Sequence, residues 1–500
     1  MWRALVARKL AGKKRMRLID VLPAEIAAPL DAAGIEVSGI TASSKAAGPG
    51  VIFAALPGVK TDGALHIPDA IARGACAIIV AKDRAISAPL GAVVIPVDNP
   101  RRALALIAAR FHPRQPEICV AVTGTSGKTS VADFTRQIFA HLGRRAASLG
   151  TIGLIKPDGA IYGSLTTPDP VTLHATIDQL AAEGITHLAF EASSHGLDQH
   201  RLDGVRLAAA AFTNLGRDHM DYHATVDDYL DAKMRLFREL LQPGEIAVVN
   251  TDGDHADEAL EAALERGLVV FSVGSHGENL RRTRLSNEGF GQVVGVRAGG
   301  RDYEIKLPLV GAYQAENALV AAGLAIAGGE ETGAVLASLE HLKGVPGRLE
   351  IIGEANGGLA IVDYAHKPEA LEAALAACRP FVSGKLICVF GCGGDRDKGK
   401  RPIMGAISAA QSDITIITDD NPRSELASAI RAEILAAAPG AREIGDRGEA
   451  IAAAVALMSP GDVVLVAGKG HETGQIVGNT ILPFSDTEEL RRAMQQATSR

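Results

Sequence analysis

The chain has 500 residues and a formal net charge of −7, length enough for roughly three domains of about 100–200 residues each. Its 47% hydrophobic and 22% charged residues are an ordinary globular composition. The acidic balance speaks against a nucleic-acid protein, whose affinity needs clustered Lys and Arg, and no apolar run of about 18 residues predicts a membrane span.

Aromatics are only 4% while Ala and Gly abound, which points to tightly packed α/β layers. Five scattered cysteines suit a reduced cytoplasm. Cys388 and Cys392 have no partner pair nearby and read as packing residues rather than metal ligands. A basic cluster runs from Arg3 to Arg17, with no apolar stretch behind it, so a signal peptide is not expected. Met16 begins a cleaner start, MRLIDVL, and the cluster before it reads either as a targeting arm or, more plainly, as the product of a misassigned initiation codon.

In chain order, residues 17–112 have a βα rhythm of their own. Strands are predicted at 51–56, 77–80 and 93–97, helices at 67–73 and 101–111, and a turn at 57–63. His112-Pro113-Arg114-Gln115-Pro116 is a linker, because Pro disfavours helix at and before itself. Ile118 to Val122 is then a buried strand, broken by Gly124, Ser126 and Gly127, and a helix opens at Lys128, Thr129 and Ser130. Strand, glycine turn and helix N-terminus make an anion site. Lys128 would reach a nucleotide's outer phosphates and Thr129 would hold Mg²⁺. A strict Walker A motif would have glycine where Val122 stands, so Gly124-Thr125-Ser126-Gly127-Lys128-Thr129 is a shortened P-loop.

Strands alternate with helices to about 345. Glu191 ends one apolar run, and another, Ala209 to Asn214, leads to His219. Both are read as metal or phosphate neighbours of the P-loop, or else as residues capping their strands. Residues 275–306 read as an exposed hairpin insertion, and Ala312 to Ala327 as a helix. A second linker lies at 344–349. Strands at 359–362, 385–390, 414–418 and 463–467 follow, and three of them end in glycine-and-charge loops. A doubly wound sheet presents such loops along one binding edge. A phosphate loop flanked by binding domains suggests joining chemistry, with two substrates brought together at a nucleotide.

TGTSGKTS (123–130), EASSHGLDQHR (191–201), FTNLGRDHMDYH (212–223), YLDAK (229–233), VDYAHKPEALE (362–372), FGCGGDRDKGKRP (390–402), DDNPRSE (419–425) and AGKGHE (467–472) together resemble the Mur ligases, in order and spacing, from about residue 17 to 490. The resemblance implies an α/β protein of three domains. A central P-loop parallel-sheet ATPase domain (114–346) is flanked by an N-terminal UDP-substrate domain (1–113) and a C-terminal Rossmann-like amino-acid domain (347–500). It also implies a cytoplasmic, monomeric ligase using ATP and Mg²⁺, with no nucleic-acid or membrane partner. Asp420-Asn421-Pro422-Arg423 matches the branch that adds meso-diaminopimelate to UDP-N-acetylmuramoyl-L-alanyl-D-glutamate. An L-lysine-adding form and a folylpolyglutamate synthetase-like ligase are the alternatives. A P-loop switch ATPase would want the strict Walker A, and a dead binding module would not keep Lys128, Thr129, Glu191 and His219.

Residue by residue, the resemblance puts ATP on Gly124, Thr125, Ser126, Gly127, Lys128, Thr129 and Ser130, with Asn317, Arg348 and Asp363 around adenine, phosphates and ribose. Thr129, Glu191, His219 and Lys233 match metal-site positions, Lys233 as a carbamylated lysine; an exposed helix lysine is its plain alternative. Thr166, Thr167, Ser193, Gln199 and Arg201 match contacts to the muramoyl dipeptide. Arg396, Asp420, Asn421, Pro422, Arg423, Gly468 and Glu472 match the amino-acid site. Ala42, Ser44, Val59, Lys60 and Thr61 match the uridine end, where Ser43-Ser44-Lys45 departs from the family's Asp-Ser-Arg. Exchanging Arg for Lys gives up bidentate contacts.

Overall fold

The computed structural model describes residues 15–58, 62–84, 91–161, 166–216, 218–220, 222–289 and 291–498. The chain divides into two compact units, Met1–Asn279 with Val320–Val335, and Leu280–Leu319 with Leu336–Arg500. Val59, Lys60 and Thr61 lie outside the described residues.

The first unit opens with a small parallel sheet of β1 (Gly39–Thr41), β2 (Val51–Ala54), β3 (Ala77–Ala81) and β4 (Val93–Val97), in that order. Helix α1 (Ile67–Ala72) precedes β3, and α2 (Pro100–Phe111) follows β4. Pro at the start of α2 needs no donor there, and the Asn99 side chain accepts from the Arg101 and Arg102 amides. Leu104 and Ile107 of α2 pack on Ile52, Ala54 and Ile79 of the sheet.

The P-loop sheet follows in the same unit. Its elements are β5 (Ile118–Thr123), α3 (Lys128–His141), β6 (Ala146–Gly150), β7 (Gly153–Lys156), β8 (Gly159–Ile161), α4 (Pro170–Ala182), β9 (His187–Glu191), α5 (Ser194–Asp198), β10 (Ala209–Phe212), α6 (Val226–Arg235), β11 (Ile246–Asn250), α7 (Ala256–Arg266) and β12 (Val269–Gly274). Strand order is β8-β7-β6-β9-β5-β10-β11-β12. Pairs from β6 to β12 are parallel, while β7 and β8 run antiparallel. Central strands such as ICVAVT and HLAFE are buried along nearly their whole length because helices cover both faces, and their polar residues stand only at the strand ends. The P-loop strand β5 lies between β9 and β10, so the loops ending those two strands flank it.

The second unit begins with β13 (Leu280–Glu288), β14 (Gly291–Ala298) and β15 (Arg301–Leu307), an antiparallel set of three strands rather than the expected hairpin. Nor is it all exposed: Val293, Val294 and Val296 of β14 are buried. Polar residues dominate the segment and masked that apolar stripe.

After α8 (Ala312–Ala327) comes a doubly wound sheet. It contains β16 (Glu350–Ala355), β17 (Gly358–Asp363), α9 (Pro368–Cys378), β18 (Leu386–Phe390), α10 (Lys400–Gln411), β19 (Ile414–Ile417), α11 (Ala427–Leu435), β20 (Arg442–Glu443), α12 (Arg447–Ala456), β21 (Val463–Ala467) and α13 (Asp486–Thr498). Its order is β16-β17-β21-β18-β19-β20, parallel from β17 onward. Helices α9 to α11 bury Leu375, Met404 and Ile434 against one face, and α12 and α13 bury Ile451, Val455 and Leu490 against the other. Cys388 and Cys392 are free and buried among these apolar side chains, and burial pushes each thiol up to about 12. No helix among the described residues is long and apolar enough to cross a membrane.

Candidate active site

In the first unit the P-loop is built as its glycines require. Gly124 and Gly127 have φ of 142° and 86°, which L side chains rarely adopt. A Cβ on Gly124 would run into the Thr213 hydroxyl. The loop ending β10 splints it. The Thr125 amide donates to the Asn214 carbonyl (2.9 Å), the Ser126 amide to Asn214 Oδ1 (3.0 Å), and the Thr213 hydroxyl to the Ser126 carbonyl (2.7 Å).

Two ammonium groups converge on this loop. Lys128 Nζ donates to the carbonyls of Gly124 and Thr125, both at 2.8 Å, and Lys233 Nζ donates to the same Gly124 carbonyl at 2.7 Å. Lys233 is 1% exposed, so it is not the surface lysine that a helix position would suggest. Its Nζ sits 4.3 Å from the centre of the Tyr229 ring, and the Tyr229 hydroxyl lies 3.2 Å from Thr125 Oγ1. Burial, then the nearby Lys128 charge, hold the Lys233 amine well below the usual lysine range. Helix α6 carries Lys233, and Arg235 anchors that helix through a two-pronged bond to Asp203 (2.7 and 2.9 Å).

Glu191 ends β9, in register with Val122 of the P-loop strand. Its carboxylate is buried and accepts from the Thr151 amide (2.7 Å) and hydroxyl (3.2 Å), and Thr151 Oγ1 is 3.0 Å from Thr166 Oγ1. From there one network runs through every residue expected to meet the muramoyl dipeptide. Thr167 Oγ1 donates to the Glu191 carbonyl (2.9 Å) and accepts from the Ser193 amide (3.1 Å) and hydroxyl (3.0 Å). Arg201 donates to the Thr167 carbonyl (2.6 Å) and to Gln199 Oε1 (2.7 Å), and Gln199 Nε2 to the Tyr222 hydroxyl (3.0 Å). Burial lowers the pKa of Arg201. His219, at φ 56°, lies against the rings of His195 and Tyr229, at 4.9 and 6.1 Å between centres. In the first sheet, Ala42 is exposed in the loop after β1, and Ser44 bonds the Asp69 carboxylate from α1.

The second unit joins its own expected residues. Asn317 donates to Gln314 Oε1 (3.0 Å), Gln314 to the Arg348 carbonyl (3.1 Å), and the Leu349 amide to Asp363 (2.7 Å). Arg348 lies over the Tyr364 ring at 4.9 Å, and its Nε is buried without a hydrogen-bond partner among the described residues. Burial raises the pKa of Asp363, offset in part by the charge of Arg348.

At the sheet's carboxyl edge, Asp420, Asn421 and Glu472 gather around Lys469, which is fully buried. Lys469 Nζ donates to Asn421 Oδ1 (2.9 Å) and Glu472 Oε2 (3.0 Å), and Asn421 Nδ2 donates to the same Glu472 oxygen (3.0 Å). A Cβ on Gly468 would stand 3.0 Å from Asp420 Oδ2. Pro422 is buried, and Arg423 is half-buried at φ 51°. Arg423 Nη1 donates to the Gly394 carbonyl at 2.8 Å, leaving Nε and Nη2 without hydrogen-bond partners among the described residues. Arg396 is exposed on the 391–399 turn, away from these bonds.

Three family descriptions match in sequence. They are "Mur ligase family, catalytic domain" at residues 36–112, "Mur ligase middle domain" at 122–325, and "Mur ligase, glutamate ligase domain" at 347–470. The chain belongs to the Mur ligase family. A Brucella melitensis relative, UDP-N-acetylmuramoyl-L-alanyl-D-glutamate--2,6-diaminopimelate ligase, is 57% identical, covering 96% of this chain and 98% of its own. A solved structure of a ligase of that name aligns at 30% identity and TM-score 0.73, covering 97% of this chain and all of the other. A Mycobacterium tuberculosis folylpolyglutamate synthase complexed with ADP shares the fold alone, at 19% identity and TM-score 0.60 over 74% of this chain and 91% of that one.

Within this Mur ligase, no group of three or more His, Cys, Asp or Glu among the described residues could hold a metal ion by itself. That suits Mg²⁺ beside a nucleotide, which takes one or two protein ligands and completes its octahedron with phosphate oxygens and water. Thr129, at the start of α3 just past β5, and Glu191, at the end of the adjoining β9, fit such a role, and the orphaned Arg348 Nε fits an anionic ligand. Thr151, Thr213, Asn214 and Lys469 were not singled out by sequence. Of these, Thr213, Asn214 and Lys469 stand inside motifs already quoted, which was the available signal.

Proposed function

We propose that this ligase joins meso-diaminopimelate to a free carboxylate of the D-glutamyl residue of UDP-N-acetylmuramoyl-L-alanyl-D-glutamate, with conversion of ATP to ADP and phosphate, as a cytoplasmic monomer in peptidoglycan precursor synthesis. The three-domain division at 113 and 346 belongs to this reading. The substrate carboxylate attacks the γ-phosphorus and ADP leaves, giving an acyl phosphate. The amine then attacks the acyl carbon, phosphate departs with the C–O bond electrons, and the nitrogen loses a proton to leave the amide.

Lys128 would exchange its bonds to the Gly124 and Thr125 carbonyls for phosphate oxygens, and so meet the charge that develops on transfer. Thr129, Glu191 and His219 would hold Mg²⁺ and a carbamylated Lys233 would help hold a second Mg²⁺, ions that neutralise phosphoryl charge when bound. The depressed pKa of Lys233 supports that assignment, because only a neutral amine adds CO₂. Asn317, Arg348 and Asp363 are assigned to the nucleotide. Thr166, Thr167, Ser193, Gln199 and Arg201 are assigned to the muramoyl dipeptide, and Ala42, Ser44, Val59, Lys60 and Thr61 to the uridine end.

The observation that carries the choice of amino acid is the Arg423 guanidinium, pinned by one nitrogen with its other two unspent. Diaminopimelate ends in a carbon with both ammonium and carboxylate, lysine in ammonium alone. A guanidinium fork grips the extra carboxylate and repels a bare ammonium. Asp420, Asn421, Pro422, Gly468 and Glu472 would seat the adjoining ammonium, and Arg396 is assigned to the same amino-acid site. Comparing kcat/KM for meso-diaminopimelate and L-lysine in wild type and Arg423→Ala tests this. The wild type should prefer diaminopimelate, and the variant should lose about 10- to 100-fold of that preference. A wild type that prefers lysine, or a variant that keeps its full preference, overturns the assignment.

A further inference from the structure

Arg447 is the first residue of α12, and its side chain is wholly buried. A cation there faces the positive end of the helix dipole. It pairs with Asp486, the equally buried first residue of α13, through Nε to Oδ1 (2.6 Å) and Nη2 to Oδ2 (2.8 Å). Buried ion pairs of this kind seldom stabilise a fold more than apolar side chains of the same volume. Stability is therefore a weak reason for the pair.

Its remaining bonds point elsewhere. Nη2 also donates to the carbonyl of Ala467, the last residue of β21 (2.9 Å), and Nη1 to the carbonyl of Asp419, just past β19 (3.3 Å). Those strands lie on either side of β18, so one guanidinium spans the sheet's central strand and ties the exits of its two neighbours. The next residues along the chain are Gly468 to Glu472 on one side and Asp420 to Arg423 on the other. A Cβ on Gly468 would stand 3.7 Å from Arg447 Nη2 and 3.0 Å from Asp420 Oδ2, so the floor and the carboxylate above it are close-packed. Lys469 bridges the two loops again from above, through Asn421 and Glu472.

We propose that Arg447, oriented by Asp486, is a positioning residue of the amino-acid site, fixing the spacing of Asp420 from Glu472 by clamping the strand-end carbonyls beneath them. The inference rests on the reading that these loops take the amino-acid substrate. Arg447 touches no substrate; it acts through the two loops.

The test uses the full chain as Arg447→Lys and as the apolar pair Arg447→Met with Asp486→Leu. KM for each of the three substrates, kcat and the thermal midpoint are measured for both. The lysine variant keeps the charge but cannot serve two carbonyls and a carboxylate together. Its amino-acid KM should rise about tenfold, the equivalent of one hydrogen bond to a charged group, with KM for ATP unchanged. In the apolar pair the relief of burying two charges is set against the loss of a donor to the Ala467 and Asp419 carbonyls, so it should melt near the wild-type midpoint yet show the same rise. An apolar pair with a wild-type amino-acid KM, or equal rises for all three substrates, overturns the proposal. Should that pair fail to fold, a wild-type amino-acid KM in Arg447→Lys overturns it alone. An amino-acid panel run on the wild type keeps the two readings apart. If another amino acid is preferred, the substrate assignment falls, and KM for that amino acid still tests Arg447.

Discussion

Gly124→Ala probes the joint on which both lysines converge. At φ 142° an alanine is strained by roughly 1–3 kcal/mol. Its Cβ would overlap the Thr213 hydroxyl and stand 3.0 Å from the Asn214 carbonyl oxygen, an overpacking cost of roughly 1–3 kcal/mol more. The loop can relieve the overlap only by shifting, and the Gly124 carbonyl shifts with it, away from Lys128 at 2.8 Å and Lys233 at 2.7 Å. The thermal midpoint should fall by several degrees. Phosphate release with all substrates present should fall by about 10²–10³, as for a misplaced transition-state donor. Adding Thr213→Ala removes the overlapping hydroxyl and should restore part of the midpoint but little activity, because the φ strain and the Asn214 contact persist. A Gly124→Ala enzyme that melts and turns over like the wild type would refute the reasoning.

Lys233→Ala should be nearly inactive, with partial recovery on adding a short carboxylic acid, and intact mass of the wild type should show the carbamate. Full activity in the variant returns Lys233 to a structural role. His174 gives a pH prediction: burial pushes its pKa down to about 4, opposed in part by its bond to the Asp203 carbonyl. Unfolded, it takes a proton near 6.5, so between those values the unfolded chain binds more protons and stability falls as pH falls. The loss amounts to about 3 kcal/mol by pH 4 and is nil above pH 7, and His174→Gln should flatten that limb of the midpoint–pH curve.

Much of this was legible in the sequence because local signals agreed. The apolar run of β5, the glycines after it and Lys128 at the helix start all act within a few residues, and the strand and helix stand where they were expected. Helix Ala312–Ala327 and strand Val463–Ala467 were equally plain. The antiparallel turn-back of β7 and β8 was missed, since two short strands rich in Gly have little period of their own. Residues 275–306 read as one exposed hairpin, where the fold has three strands, because alternating Val is easily lost among Arg and Glu. At the site, residue types in motifs could be listed, but not their bonds. That Thr151 holds Glu191 from 40 positions away, or that Asp486 orients Arg447 from 39, is a matter of tertiary packing. Burial was the other blind spot: the sequence leaves Lys233 between a carbamylated metal-site lysine and an exposed helix residue, and the fold encloses it.

Phosphate release from ATP, followed while each substrate is left out in turn, bears most directly on the claim that this chain is an acyl-phosphate ligase adding diaminopimelate. The account predicts sustained release only with ATP, UDP-N-acetylmuramoyl-L-alanyl-D-glutamate and meso-diaminopimelate together, and one phosphate for every amide formed. Release that continues at the same rate without the muramoyl dipeptide or without the amino acid would contradict it.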